Sequence, residues 1–511
     1  MNENNTATGM KPTLGLFGIL INAMALIAPG AFLWTTYQLQ AAPGSAPNMW
    51  FSVLIATAIA LFTAMSYALL AKKYPQAGTG SAYYFAENAF LEKEQHKHFR
   101  LARISKFLVG WASHLYYWIY PGVMVAFMGT LLVYIGQTFD PTFATSNLAK
   151  MAICIVFAVI VGAIAYRGVN SSTSVNLVIN IIQIAALLSF SALAIIYRFM
   201  YPKMSYLHAT ALSVIRPHDL NGLIFQATIA ILLVVGFESA TAFAEEAKNP
   251  KKDIPRAVVL SLLIQAGVFY LIEYFAANFF IGNFYQTSSG SGFTAAFNSS
   301  APIGDMAKIL GDQLLGGHGE FYAIALAITV VIALVGTALS CTNTGVRITR
   351  AMGKDKELPA VFGFLHSEHQ SPYIGIIVIT VISAVIGAYG VLSIDNLTQV
   401  TLISNVGTFL LYGMTGIICM VAYAKTRAEN VFSRVVYPTL TVVLNVAMLV
   451  GVIYYAVTSG GSTQTDTIIA ITFSLGWLVV GLAYLRIKSR INGIPLFHPE
   501  DHKQQLAERG A

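Results

Sequence analysis

The sequence predicts an all-α membrane protein of twelve transmembrane helices. Helices one and six are discontinuous, and each opens one of two inverted five-helix halves; two extra helices follow. Three observations lead there. The 511-residue chain is 56% hydrophobic and only 10% charged, against about 25% charged residues in soluble domains. Apolar runs able to cross a bilayer core of about 30 Å recur along it. Two of those runs carry backbone-breaking residues near their middles, at matching places in the two halves.

A polar tail, 1–11, precedes the first span. Spans are expected near 12–37, 48–71, 106–135, 148–166, 174–198, 221–246, 256–282, 320–346, 372–390, 396–424, 434–457 and 466–486. The first run is too long for a signal-peptide core and has no convincing cleavage site. The first half then covers 12–198, a loop 199–220, the second half 221–424, the last two helices 425–487, and a polar tail 488–511.

Charge tests this threading. With the N-terminus in the cytoplasm, 25 of the 30 Lys and Arg fall inside, and only Lys150, Arg198, Lys203, Arg216 and Lys308 fall outside. Basic residues collect on the cytoplasmic side, so both termini are placed inside a cytoplasmic membrane. The same asymmetry explains the net charge of +7 without nucleic acid. Two loops look structured. Residues 75–100 read as an interfacial helix with aromatic anchors. Residues 302–316 read as a short amphipathic helix over the mouth. The C-terminal tail reads as a solvated end, with an inhibitory plug as the alternative.

The first span reads NAMALIAPGAFLWTTYQ. Adjacent proline and glycine, Pro29 and Gly30, remove a helix hydrogen bond and loosen the backbone. The sixth span, in the stretch from Gly222 to Ala257, carries Gly236 and Glu238 well inside an apolar run. A carboxylate in hydrocarbon is costly and marks a site. Either break alone would read as a kink. Matching breaks, one beside a carboxylate, point to a binding site between inverted repeats.

Other residue types narrow the reading. Cys154, Cys341 and Cys419 all fall within spans, without disulfide-framework or metal spacing. No Walker A pattern, serine elbow or histidine–carboxylate metal motif is present. Neither an enzyme nor a cofactor nor a metal is therefore expected.

GFESATAFAEEAKNPKKDIPRAV resembles the sixth-span signature of the amino acid–polyamine–organocation superfamily, as do IAPGAFL in the first span, PQAGTGSAYYFAENAF after the second and TRAMGKDKELPAVFG after the eighth. The resemblance covers roughly residues 12–425, and Gly-Phe-Glu-Ser-Ala looks closest to exchangers of amino acids for their decarboxylated amines. It implies a LeuT-type fold with alternating access. The substrate carboxylate would meet backbone amides around Ala28, Gly30 and Ala31. The ammonium group would meet carbonyls of Ile27, Val235 and Gly236, as half-helix ends favour. Glu238 matches the carboxylate linking protonation to gating, Tyr116 a pore tyrosine, and Cys341 the place of an aromatic gate. The chain departs from the pattern at Pro29, which has no N–H, and at Leu232, where the arginine exchanger has a stacking tryptophan. It departs again at Gln183, where several proton-coupled symporters carry a lysine.

The residues themselves add candidates. A carboxylate such as Glu238 in a low-dielectric pocket can exchange protons in the neutral to mildly acidic range. Tyr116 and Tyr120 share a helix face at i, i+4 and suit a path or a cation. Phe237 could close over substrate as a gate. Glu273 is the other intramembrane carboxylate. His114 reads as a packing residue or a pH sensor. Ser340, Thr342, Asn343 and Thr344 read as interhelical hydrogen-bonding groups or, with first-span carbonyls, as sodium ligands. The expected partners are membrane lipids, a small amino acid or amine, and protons, with sodium as the alternative ion. The expected function is a proton-linked exchanger of amino acids or their amines. A proton- or sodium-driven importer of amino acids or polyamines is the alternative, and a non-transporting sensor or partner subunit the second.

Overall fold

The computed structural model describes residues 13–27, 29–75, 77, 81–91, 99–167, 173–244, 246–367, 369, 371–424, 430–493 and 495–497. The N-terminal tail, Ala28, Glu245 and most of the C-terminal tail therefore lie outside the described residues. The chain is all-helical apart from one two-stranded hairpin, β1 (Gln286–Thr287) with β2 (Gly290–Ser291). Eleven helices among the described residues are long and apolar enough to cross a membrane, and Leu16–Ile27 is a shorter apolar helix.

The first predicted span is two helices, α1 (Leu16–Ile27) and α2 (Pro29–Gln40). Next come α3 (Met49–Lys73), α4 (Ala82–Leu91), α5 (Phe99–Tyr117) and α6 (Tyr120–Phe139). The third predicted span is thus interrupted at Trp118–Ile119, where a single helix was expected. Pro121 has no N–H to offer the Tyr117 carbonyl, and the chain turns there before resuming. After α7 (Asn147–Tyr166), α8 (Thr173–Met200) and the one-turn α9 (Ala211–Ile215) comes α10 (Leu220–Val234), capped by the Asp219 carboxylate. A 3-10 turn follows at Phe237–Phe243.

The seventh span joins α11 (Pro250–Leu262), a π-helical stretch (Leu263–Tyr270) and α12 (Leu271–Phe280). The short α13 (Gly292–Asn298) and α14 (Pro302–Leu314) lead to α15 (Gly319–Lys354), α16 (Tyr373–Gly390), α17 (Ile394–Tyr423), α18 (Tyr437–Thr458) and α19 (Gly461–Asn492). Helix α15 runs two turns beyond its predicted end at 346, and α19 runs past the expected boundary at 487.

Helix α1 packs between α8, α11, α15 and the 3-10 turn, at the centre of the bundle. Apolar stripes face outward. On α18, Val443, Val446, Val450, Ile453 and Val457 are all exposed at helical spacing, as a lipid-facing surface requires.

At the basic end of the bundle, the helix expected in 75–100 forms as α4 and packs inward: Tyr83, Phe85 and Ala86 are fully covered. It is drawn inward by ion pairs. Lys106 bridges Glu87 and Asp355, Arg103 pairs with Glu357 at 2.6 Å, and Tyr83 donates to Asp355 at 3.0 Å. These side chains are at most 9% exposed. Two backbone bonds join the chain before α1 to the chain after the 3-10 turn. Leu14 N–H donates to the Glu246 carbonyl and Lys248 N–H to the Leu14 carbonyl, each at 2.8 Å. Part of the tail is docked and not solvated: the Phe497 ring packs on Phe107.

At the opposite end, α14 forms the expected amphipathic helix. It lies on Trp34 and Tyr134, so closely that a β-carbon at Gly304 would stand 2.7 Å from both side chains. Asp305 anchors it, accepting from Tyr285 Oη at 2.8 Å and Ser299 Oγ at 2.5 Å. Burial raises the Asp305 carboxyl above the usual aspartate range, although Ser299, Tyr285 and Lys308 pull the other way. A raised acid stabilises the docked form below the ordinary aspartate value, and that contribution is lost as pH rises through the raised one. Protection of the 302–314 amides, taken relative to their intrinsic exchange rate at each pH, should therefore rise on acidification through that window. Protection that keeps its pH response in Asp305→Asn would refute the assignment.

Candidate functional site

The site begins with a missing hydrogen-bond donor. Pro29 cannot donate to the carbonyl four residues earlier, so Ala25 O needs another partner. Thr337 Oγ1 of α15 reaches it at 3.4 Å. Neighbouring carbonyls are served from the seventh span: Gln265 Nε2 donates to Met24 O at 2.8 Å and Tyr270 Oη to Ile27 O at 3.0 Å. Gln265 and Tyr270 are five residues apart, and the π-helical stretch puts such pairs on one face. On the other side, Asn180 of α8 donates to Ile21 O at 3.2 Å.

The second interruption faces the first. Val235 is extended (φ −72°, ψ 154°) and Gly236 is left-handed at φ +115°. A β-carbon at Gly236 would stand 3.0 Å from Leu26 Cγ and 3.3 Å from Ile27 Cγ1. The second helix break therefore packs directly on the Leu26 and Ile27 side chains at the end of α1, with no room for a side chain of its own.

Glu238 lies in the first turn after this break and is 1% exposed. Its Oε2 accepts from Gly236 N–H at 3.0 Å and from Tyr412 Oη of α17 at 2.8 Å; its Oε1 accepts from Tyr117 Oη of α5 at 3.0 Å. Three donors from three elements thus converge on one carboxylate. Phe237 packs against Tyr67 and Tyr412, with ring centroids 6.1 and 5.4 Å away.

Tyr116 packs on Tyr120 at 5.1 Å and on Tyr117 at 4.5 Å. The Tyr116 hydroxyl has no hydrogen-bond partner among the described residues. Cys341 is fully buried, and so are Ile27, Tyr116, Tyr120, Val235 and Phe237; Gly30 is buried too. Ala31 lies in the first turn of α2, and Ala28 is outside the described residues. The described side chains here are thus buried from solvent.

Other candidates are placed as well. His114 sits in a cage of Trp111, Trp118 and Trp477, with Trp118 at 4.4 Å, as a packing residue would. Thr344 bonds its own helix at Ser340 O, whereas Thr337, outside the predicted polar run, is the hydroxyl that reaches helix one. Gln183 lies beside Gly30, where a β-carbon would stand 3.5 Å from its Cγ and Oε1. Among the described residues, no group of three or more His, Cys, Asp or Glu could hold a metal ion.

This arrangement gathers peptide groups, phenols and one hydrogen-bonded acid at a buried centre. Residues 13–480 match the family described as amino acid permease. The chain belongs to the amino acid permease family, within the amino acid–polyamine–organocation superfamily. This permease is 23% identical to the branched-chain amino acid permease BcaP of Bacillus subtilis over 80% of this chain and 81% of that protein. It is 22% identical to the low-affinity putrescine importer PlaP of Escherichia coli over 97% of this chain and 98% of that one. A methylthioribose transporter of Bacillus subtilis is 23% identical, over 89% and 90% of the two chains. The permease is a multi-pass membrane protein and a transporter, not an enzyme.

The sequence had pointed to Tyr116 and Tyr120, while the residues that grip Glu238 are Tyr117 and Tyr412. Tyr117 is the sequence neighbour of Tyr116 and points about 100° away around the helix. Tyr412, 174 residues away from Glu238, gave no local signal.

Proposed function

We propose that this permease carries amino acids or their decarboxylated amines across the cytoplasmic membrane by alternating access, as a proton-linked exchanger. In this reading the chain crosses twelve times with both termini cytoplasmic. Residues 12–198 and 221–424 form the inverted halves, and two helices follow. The observation that carries the reading is the approach of the two helix breaks, with Gly236 against Leu26 and Ile27. Amides at Ala28, Gly30 and Ala31 take the carboxylate end of the substrate. Carbonyls at Ile27, Val235 and Gly236 take the ammonium. For Ile27 that means sharing with Tyr270 a carbonyl that has two lone pairs. Tyr116, Tyr120 and Cys341 line the path, Phe237 closes it, and Glu238 links protonation to gating.

Import driven by protons or sodium is the second reading, favoured by the relative named as a putrescine importer. Counterflow in proteoliposomes separates the two, with leucine and putrescine as probes. An exchanger takes up labelled compound only when the vesicles contain unlabelled compound. Accumulation into empty vesicles under an imposed proton or sodium gradient would replace the exchange reading with import.

A further inference from the structure

A second acid lies in the same bundle, on α12. Glu273 is 0% exposed, and neither carboxylate oxygen has a hydrogen-bond partner among the described residues. Glu238 differs sharply, with three donors around it. An ionised carboxylate without donors is strongly disfavoured in a low-dielectric interior. Such a group carries a proton or meets a cation, and its presence needs a reason.

The surroundings narrow the choice. In its own span, Glu273 lies three residues after Tyr270 and next to Tyr274. From α2, Tyr37 donates to Asn278 instead, at 3.5 Å. From α3 the contact is Trp50, which donates to the Leu271 carbonyl. From α8, Tyr197 packs on Phe280, and Arg198 is engaged by the carbonyls of Phe279, His208 and Ala209. Near α9, His208 and His218 face each other. None of these groups hydrogen-bonds to either Glu273 oxygen.

The placement ties this acid to the moving parts. Tyr270, one turn before Glu273, holds the last carbonyl of α1. Tyr274, the next residue, meets Thr36 Oγ1 at 2.7 Å and also donates to Gln40, both on α2. Glu273 therefore sits between the two tyrosines that hold the two halves of helix one. A change of angle between α1 and α2 must strain or break one of these tyrosine contacts beside Glu273.

We propose that Glu273 is a proton-binding site distinct from Glu238. It is loaded while the centre is closed and emptied when α1 and α2 part. The O–H bond forms at one carboxylate oxygen and breaks when water reaches it, so one proton is carried per cycle. The coupling half of this proposal rests on the transport reading above.

Infrared difference spectroscopy on the full chain in lipid vesicles, through a pH jump, tests the binding half without any substrate. A carboxylic-acid C=O band that titrates between mildly acidic and mildly alkaline pH is expected. It should vanish in Glu273→Gln, shift in Glu273→Asp and persist in Glu238→Gln. No titrating band, or one that Glu273→Gln and Glu273→Asp leave untouched, overturns the proposal. If Glu273→Gln does not fold, the aspartate variant decides. For coupling, Glu273→Gln should lose stimulation of leucine or putrescine uptake by a proton gradient while keeping counterflow; retained stimulation overturns it. A wild-type chain that moves neither probe defeats the transport reading, and the infrared band still decides Glu273.

Discussion

Gly236→Val is expected to reduce uptake to background. The φ of +115° is one that side-chain-bearing residues rarely adopt, and forcing a residue into such a region costs about 1–3 kcal/mol. Valine, branched at Cβ, suffers most. The new carbon would also stand 3.0 Å from Leu26 and 3.3 Å from Ile27, and such overpacking adds about 1–3 kcal/mol. Relief must come from displacing Leu26 and Ile27 at the end of α1, which disturbs the site. Gly236→Ala should show the same defect in milder form. The check is thermal unfolding of purified protein together with uptake in vesicles. Near-normal uptake by the valine variant would mean that the breaks need not touch.

Glu238→Ala is expected to be the most damaging single change at the acid. It strands the Gly236 N–H and the hydroxyls of Tyr117 and Tyr412 in a buried place. Each stranded polar group costs about 1–3 kcal/mol. The loss also uncouples α5 and α17 from the break, so both stability and transport fall. Glu238→Gln keeps an acceptor oxygen, and hydroxyls can turn to accept from its amide. That variant should fold nearly as well as the parent but show a flattened pH profile of transport. If alanine and glutamine variants unfold at the same temperature as the parent, the carboxylate is not the clasp that its hydrogen bonds indicate.

Much of this site was legible in the sequence because its causes are local. Pro29 lacks a donor wherever it is placed, and a glycine followed by an acid in an apolar run announces a break. The amphipathic helix at 302–314 was equally local. The parts that could not be read depend on rotation and distance. Tyr116 and Tyr117 differ by one residue, about 100° around a helix, and the interruption at Trp118–Ile119 removes any register carried from either side. Tyr270 reaches helix one because a π-helical stretch shifts its face, which no hydrophobic pattern reveals. Lys106, Arg103, Glu87, Asp355 and Glu357 count equally well as loop charges until α4 is seen folded inward.

The backbone pairing of Leu14 with the segment 246–248 limits how the basic end can open. The first helix cannot swing away alone like a door on its own post. Either it drags the stretch after helix six with it, as one leaf, or two peptide bonds' worth of pairing must rupture first. Deuterium uptake at the Leu14 and Lys248 amides thus serves as a latch indicator, separating motion as a joined pair from motion that unfastens it.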